Sequence, residues 1–153
     1  MIQLYDTLDL ARTLGYNFLF RGVPQQHMRA LACTAEIRIF SGGDVIVRQF
    51  ERGDDLYIIL TGEASIKSFQ GDEMATFGPG SVIGEMALVD EAPRSATVIA
   101  RGTTEVAVIS GNVVRGLLLD PEIRATVMTN LSRLLSRRLR SMNSRECPVA
   151  IAR

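Results

Sequence analysis

The sequence has little of what an enzyme, a secreted scaffold or a membrane segment requires. Among 153 residues it holds one histidine, His27, and two cysteines, Cys33 and Cys147. Two distant cysteines make neither a metal pattern nor a disulfide framework, and reduced thiols in a cytosolic compartment suit them best. His27 has no Ser or Cys motif around it; it reads as a surface or helix-end residue and anchors neither a catalytic triad nor a metal site. No apolar run approaches the ~18 residues of a membrane helix, so no span is expected in this chain. Met1 is not followed by the basic stretch and apolar run of a secretory signal. The expectation is a cytoplasmic, non-enzymatic chain without metal or cofactor.

Net charge is also absent: 17 Lys+Arg face 17 Asp+Glu. The balance hides an asymmetry. Residues 121–153 carry seven arginines against Glu122 and Glu146, a net +5, and residues 1–120 carry −5. Such a basic segment fits a solvated helix face, or else nucleic acid, anionic lipid or an acidic partner. What is plentiful is apolar residue: 46% hydrophobic with 22% charged describes one ordinary domain able to bury its own core.

Leu4, Leu8, Ala11 and Leu14 recur at helical spacing, and Pro24 opens a second short helix over 25–32. From Thr34 the period becomes two. Ile37 and Ile39, Val45 and Val47, then Tyr57 and Ile59 alternate with other residues, and turn signals such as Ser41-Gly42-Gly43-Asp44 and Gly78-Pro79-Gly80 punctuate them. Further strands are expected at 63–69, 73–77, 95–101 and 104–110, separated by an interruption at 84–94. Many short strands at close spacing predict a sandwich or jelly roll. Helix returns at 112–118 and from Asp120-Pro121-Glu122, which supplies an N-cap, a proline at the first helical position and an acid in the first turn. Ile123, Val127, Leu131, Leu135, Leu139 and Met142 then form an apolar stripe that the arginines mostly avoid.

The interruption holds the chemistry. It reads Gly84-Glu85-Met86-Ala87-Leu88, then Pro93-Arg94-Ser95-Ala96-Thr97. Gly84 lets backbone approach a ligand closely. The amides of Glu85, Met86 and Ala87 would be unpaired donors at a helix start. Arg94 adds a guanidinium fork matched to a phosphate edge, and Ser95 a hydroxyl and an amide beside it. Glu85 suits a sugar hydroxyl better than a phosphate. At this point a surface ion pair between Glu85 and Arg94 stands as the alternative, and Ser95 reads equally as an ordinary strand serine.

These two runs resemble the phosphate-binding cassette of cyclic-nucleotide-binding domains, and Gly53-Asp54-Asp55-Leu56-Tyr57-Ile58-Ile59 with Gly62-Glu63-Ala64 resembles the strand-turn-strand of that pocket's wall. The resemblance covers roughly residues 18–142. It implies a mainly β fold with flanking helices: a jelly-roll-like β-roll with N-terminal helices, a short cassette helix and a C-terminal lid helix. Its expected divisions are an N-terminal helical or linker segment at 1–20, the roll at 21–118 with its cassette at 84–97, the C-terminal helix at 119–143 and a tail at 144–153. By the resemblance, Glu85 bonds the ribose 2′-hydroxyl and Arg94 pairs with the cyclic phosphate. Gly84, the amides of Met86, Ala87 and Ser95, the Ser95 hydroxyl and the adjoining Ala96 complete the shell. Arg140 is the candidate for stacking on the base. The stripe helix would pack on Met86, Leu88 and Val89 and cover the base. The ligand expected is cyclic AMP, with cyclic GMP tolerated; Ser95 does not itself decide between them, because in the family a serine there occurs with either. The expected role is a regulatory sensor that signals through its last helix; the alternative is a dimerisation or interaction module that binds no nucleotide. Some members continue into a DNA-binding helix-turn-helix, but only about ten residues follow the stripe here, so no direct DNA contact is expected. The stretch 4–11, with 75–80 and 136–140, is also similar to the cytosolic tails of SulP–STAS-type anion transporters. That implies a linked transporter as partner, with a homodimer through the last helix a further possibility.

Overall fold

The computed structural model describes residues 5–146. Leu4 of the expected N-terminal stripe and, of the segment read as a tail, Cys147 and residues 148–153 lie outside the described residues. The first helix, α1 (Thr7–Tyr16), starts at Asp6, whose carboxylate accepts from the Leu8 amide at 3.3 Å. It buries Leu10, Ala11 and Leu14 and leaves Leu8 exposed, so the buried face is rotated from the 4–8–11–14 stripe. The second helix, α2 (Gln25–Thr34), follows Pro24 and buries Met28, Leu31 and Ala32. His27 stands in its first turn, with Cys33 exposed near its end.

Eight strands follow: β1 (Glu36–Phe40), β2 (Val45–Val47), β3 (Leu56–Thr61), β4 (Ala64–Lys67), β5 (Glu73–Phe77), β6 (Val82–Ile83), β7 (Thr97–Ala100) and β8 (Thr104–Ile109). They form two four-stranded antiparallel sheets, β1-β8-β3-β6 and β2-β7-β4-β5. The chain crosses between the sheets repeatedly, which makes a β-roll. Residues of β3 and β8 are buried almost throughout. Tyr57, Ile59, Val106 and Val108 point into the roll, while Leu56, Ile58, Ala107 and Ile109 lie under the helices. Helices cover one face of the first sheet, so its central strands read as near-continuous apolar runs. β6 is the strand the sequence reading lacked, since two residues are too short for a period to show.

Ser110 caps α3 (Gly111–Leu117), and Asp120 caps α4 (Pro121–Glu146) by accepting from the amides of Glu122 and Ile123 at 2.9 and 3.2 Å. α4 runs into the segment read as a tail. Its stripe divides. Ile123, Val127 and Leu131 are buried among the helices and the outer face of the roll, and Leu135 packs at their edge. Leu139 and Met142 are 60% and 45% exposed, which corrects the expectation that the whole stripe is covered. Of its expected counterparts only Leu88 joins that core; Met86 and Val89 stay exposed. A period of 3.6 marks the apolar face but not where the next layer ends, and roughly 16 Å of helix extends past Leu135. Among the described residues no helix is long and apolar enough to cross a membrane.

Candidate functional site

The left-handed glycine that ends β6 builds the site. Gly84 has φ +89°, and a Cβ there would lie 2.8 Å from the Asp55 carbonyl and strike the Arg94 guanidinium. A single 3₁₀ turn, Glu85–Leu88, begins at once. Within it the Ala87 amide donates to the Gly84 carbonyl at 3.2 Å. The expectation of three unpaired amides is thus corrected at Ala87: so tight a turn closes its first hydrogen bond at the third residue.

Gly84, Glu85, Met86, Ala87, Arg94, Ser95 and Ala96 all line one cavity of about 130 Å³, behind which Val47, Ile66, Phe77 and Val98 form an apolar wall. Arg94 is held from two directions. Its amide donates to the Glu51 carbonyl at 2.8 Å, and its own carbonyl accepts from Phe50 at 2.9 Å. Phe50 takes φ 71° to make that bond, a left-handed strain of about 1–2 kcal/mol for a non-glycine residue. The side chain passes 5.7 Å from the centre of the Tyr57 ring and donates to the Asp55 carbonyl at 2.8 Å. Among the described residues no carboxylate lies within ion-pair distance of it, so its charge meets only a neutral oxygen. The Ser95 hydroxyl donates to the Met86 sulfur at 3.5 Å.

Glu85 is 4% exposed and does not pair with Arg94, which disposes of the surface ion pair. Its partner is Arg138 of α4, whose Nη1 donates to Glu85 Oε1 and whose Nη2 donates to the Val82 carbonyl at 2.6 Å. The same guanidinium lies 4.7 Å from the centre of the Phe77 ring. Arg140, the sequence candidate on this helix, is exposed and does not line the cavity. The sequence did carry a signal for Arg138. It falls seven residues after Leu131 and three after Leu135, on the buried face, and so is an arginine on the stripe itself.

The arrangement sets a cation with no acidic partner beside a buried acceptor, on a dry wall. It can hold an anion with a neighbouring hydroxyl and a flat apolar group. Among the described residues no cluster of three His, Cys, Asp or Glu side chains could hold a metal ion.

Comparison with known proteins supplies the family. The model of the cyclic nucleotide-binding domain matches residues 37–120, more than half of the chain. The chain belongs to the cyclic nucleotide-binding domain family. The cAMP-dependent protein kinase regulatory subunit of Debaryomyces hansenii is 35% identical over 99 residues, covering 65% of this chain and 22% of that protein. The cGMP-dependent protein kinase of Plasmodium berghei is 40% identical over 97 residues, covering 61% and 11%. The chain therefore spans only a small part of either relative. Among solved structures, a cyclic nucleotide-binding domain from Methylobacillus flagellatus superposes with a TM-score of 0.77 at 28% identity, over 96% of this chain and 85% of that one. The cAMP co-crystal of the Toxoplasma gondii PKA regulatory domain gives 0.72 at 29%, over 86% and 50%.

Proposed function

We propose that this chain binds a cyclic mononucleotide, cyclic AMP in preference to cyclic GMP, and reports it through α4. The observation that carries the reading is the meeting of Arg94, Glu85 and Arg138 in one cavity. Arg94 receives the cyclic phosphate, its fork matched to the exocyclic oxygens. Arg138 engages Oε1 of Glu85, which leaves Oε2 as the acceptor for the ribose 2′-hydroxyl. Arg138 also offsets the repulsion that a phosphate would feel from a buried carboxylate. Because Arg138 belongs to α4, ligand and helix share one carboxylate, and the helix is the element whose position the ligand biases. The cAMP-dependent kinase relative and the cAMP co-crystal support cyclic AMP, while the cGMP-dependent kinase relative keeps cyclic GMP as the competing ligand. We read the module as cytosolic and regulatory rather than catalytic, with a linked SulP-type transporter as the effector that the sequence resemblance suggests.

Calorimetric titration with cyclic AMP, cyclic GMP and 2′-deoxy cyclic AMP tests the reading. The order expected is cyclic AMP tightest, then cyclic GMP, with the 2′-deoxy compound weak. Tighter cyclic GMP overturns the base preference. No binding of any of the three favours the second reading, an interaction module in which the Arg138–Glu85 pair is a permanent strut.

A further inference from the structure

Among the described residues no buried apolar side chain lies on α4 beyond Leu135, yet its arginines reach two different partners. Arg138 enters the cavity. Arg137, about 100° around the helix, lies with its guanidinium 4.4 Å from the centre of the Phe18 ring. Arg21 lies 5.3 Å from the centre of the same ring, so two arginines stack on one phenylalanine. Phe18 sits in the loop 17–23 between α1 and α2, and that loop is tied twice more. Buried Asn130 on the anchored half of α4 donates through Nδ2 to the carbonyls of Leu19 and Arg21, at 3.0 and 2.8 Å. Asn17, 2% exposed, accepts from the Leu19 amide at 2.9 Å and donates to the Gly80 carbonyl. Gly80 lies in the turn that leads into β6 and Gly84. The contacts thus close a ring from cassette through Arg138, α4, the loop and Asn17 back to the cassette.

We propose that loop 17–23 is a positioning element of the nucleotide site. Asn17 fixes it to the turn before the cassette, Asn130 to α4, and the Phe18 stack sets the angle from which Arg138 reaches Glu85. Neither asparagine nor Phe18 lines the cavity, so their effect passes through Arg138. The inference rests on the nucleotide-binding reading, and two measurements keep the two separable.

The first needs no ligand. Hydrogen exchange of the amides of residues 134–142 should quicken in Phe18→Leu and in Arg137→Gln, while the amides of β8 stay as protected as before. The second is a double-mutant cycle in cyclic AMP affinity. Phe18→Leu should weaken binding about threefold in the wild-type background, the scale of one exposed cation–π contact. In an Arg138→Gln background it should change affinity hardly at all. Arg137→Gln removes the other half of the stack from an exposed position and should behave alike. Unchanged exchange at 134–142 overturns the proposal. So does an equal loss in both backgrounds, which a merely structural loop would produce. If the wild type binds no cyclic nucleotide, the functional reading fails and the exchange experiment alone decides whether the loop holds the helix.

Discussion

At the scale of the residue, Arg94 and Arg138 do different work with the same group. Arg94 rests on a neutral carbonyl, so its charge is available to an anion. Replacing it by alanine should cost ~2–5 kcal/mol of binding, or roughly 30- to several-thousand-fold in affinity. Lysine should rescue only in part, since it keeps the charge and loses the fork. A titration in which Arg94→Ala binds cyclic AMP within about twofold of wild type would remove the phosphate assignment. Arg138 already has its carboxylate, and its effect on the ligand is indirect. Arg138→Gln should weaken cyclic AMP about 10- to 100-fold, the range of one lost charged hydrogen bond. The 2′-deoxy nucleotide should lose less, because it never uses Glu85. Tighter binding by Arg138→Gln would show instead that the arginine competes with the sugar for Glu85.

At the scale of the element, α4 is two helices in one. Ile123, Val127 and Leu131 each bury a side chain worth about 1.5–3 kcal/mol, enough to seat the first half whatever the ligand does. The second half depends on polar contacts from Arg137 and Arg138. A chain ending after Leu135 keeps every core residue of the stripe and loses both arginines. It should unfold cooperatively within a few degrees of the full chain, yet bind cyclic AMP at least tenfold more weakly. Thermal melts and calorimetry on the same samples check this. Equal affinity would mean that the distal helix serves a partner and not the pocket. With ligand, the amides of 134–142 should exchange more slowly in the full chain, which mass spectrometry reads directly.

At the scale of the whole molecule, the N-terminal segment is fastened to the roll by one titratable contact. Glu105 on β8 is buried with no hydrogen-bond partner for Oε2 among the described residues, and its carboxylate lies near enough to the Tyr5 hydroxyl to disfavour that group's ionisation. Burial raises the Tyr5 pKa above its ordinary value of 10.0, and the neighbouring Glu105 carboxylate raises it further. The folded state thus holds this proton more tightly than the unfolded chain does. Its stabilisation is complete below pH 10 and is lost as pH climbs through the raised value. Melts between about pH 8 and pH 11 should show a fall in the wild type that Tyr5→Phe lacks. Parallel curves would place the alkaline limb elsewhere. The charge asymmetry of the sequence also resolves at this scale. Of the arginines on α4, Arg138 meets Glu85, Arg137 a ring and Arg124 the Leu118 carbonyl, while Arg133 and Arg140 lie exposed.

Much of this protein follows from spacing along the chain. Strand follows strand because alternation and turn residues are local, and Gly84, Glu85, Arg94 and Ser95 are legible together because one short insertion carries them all. Their convergence on a cavity needed no long-range knowledge beyond a roll that folds the insertion back on its own wall. Arg138 and Arg140 differ in a way that no local pattern states, since each is an arginine on a helix rich in them. Which one meets a carboxylate 53 positions earlier depends on how α4 lies across the roll. The loop 17–23 is the same case: Asn17, Phe18 and Asn130 are ordinary polar and aromatic residues until packing brings a turn, a helix and a loop together. Leu139 and Met142 belong to the stripe by period and to the surface by geometry, because the sequence sets the face of a helix and the surrounding layers set how much of it is covered.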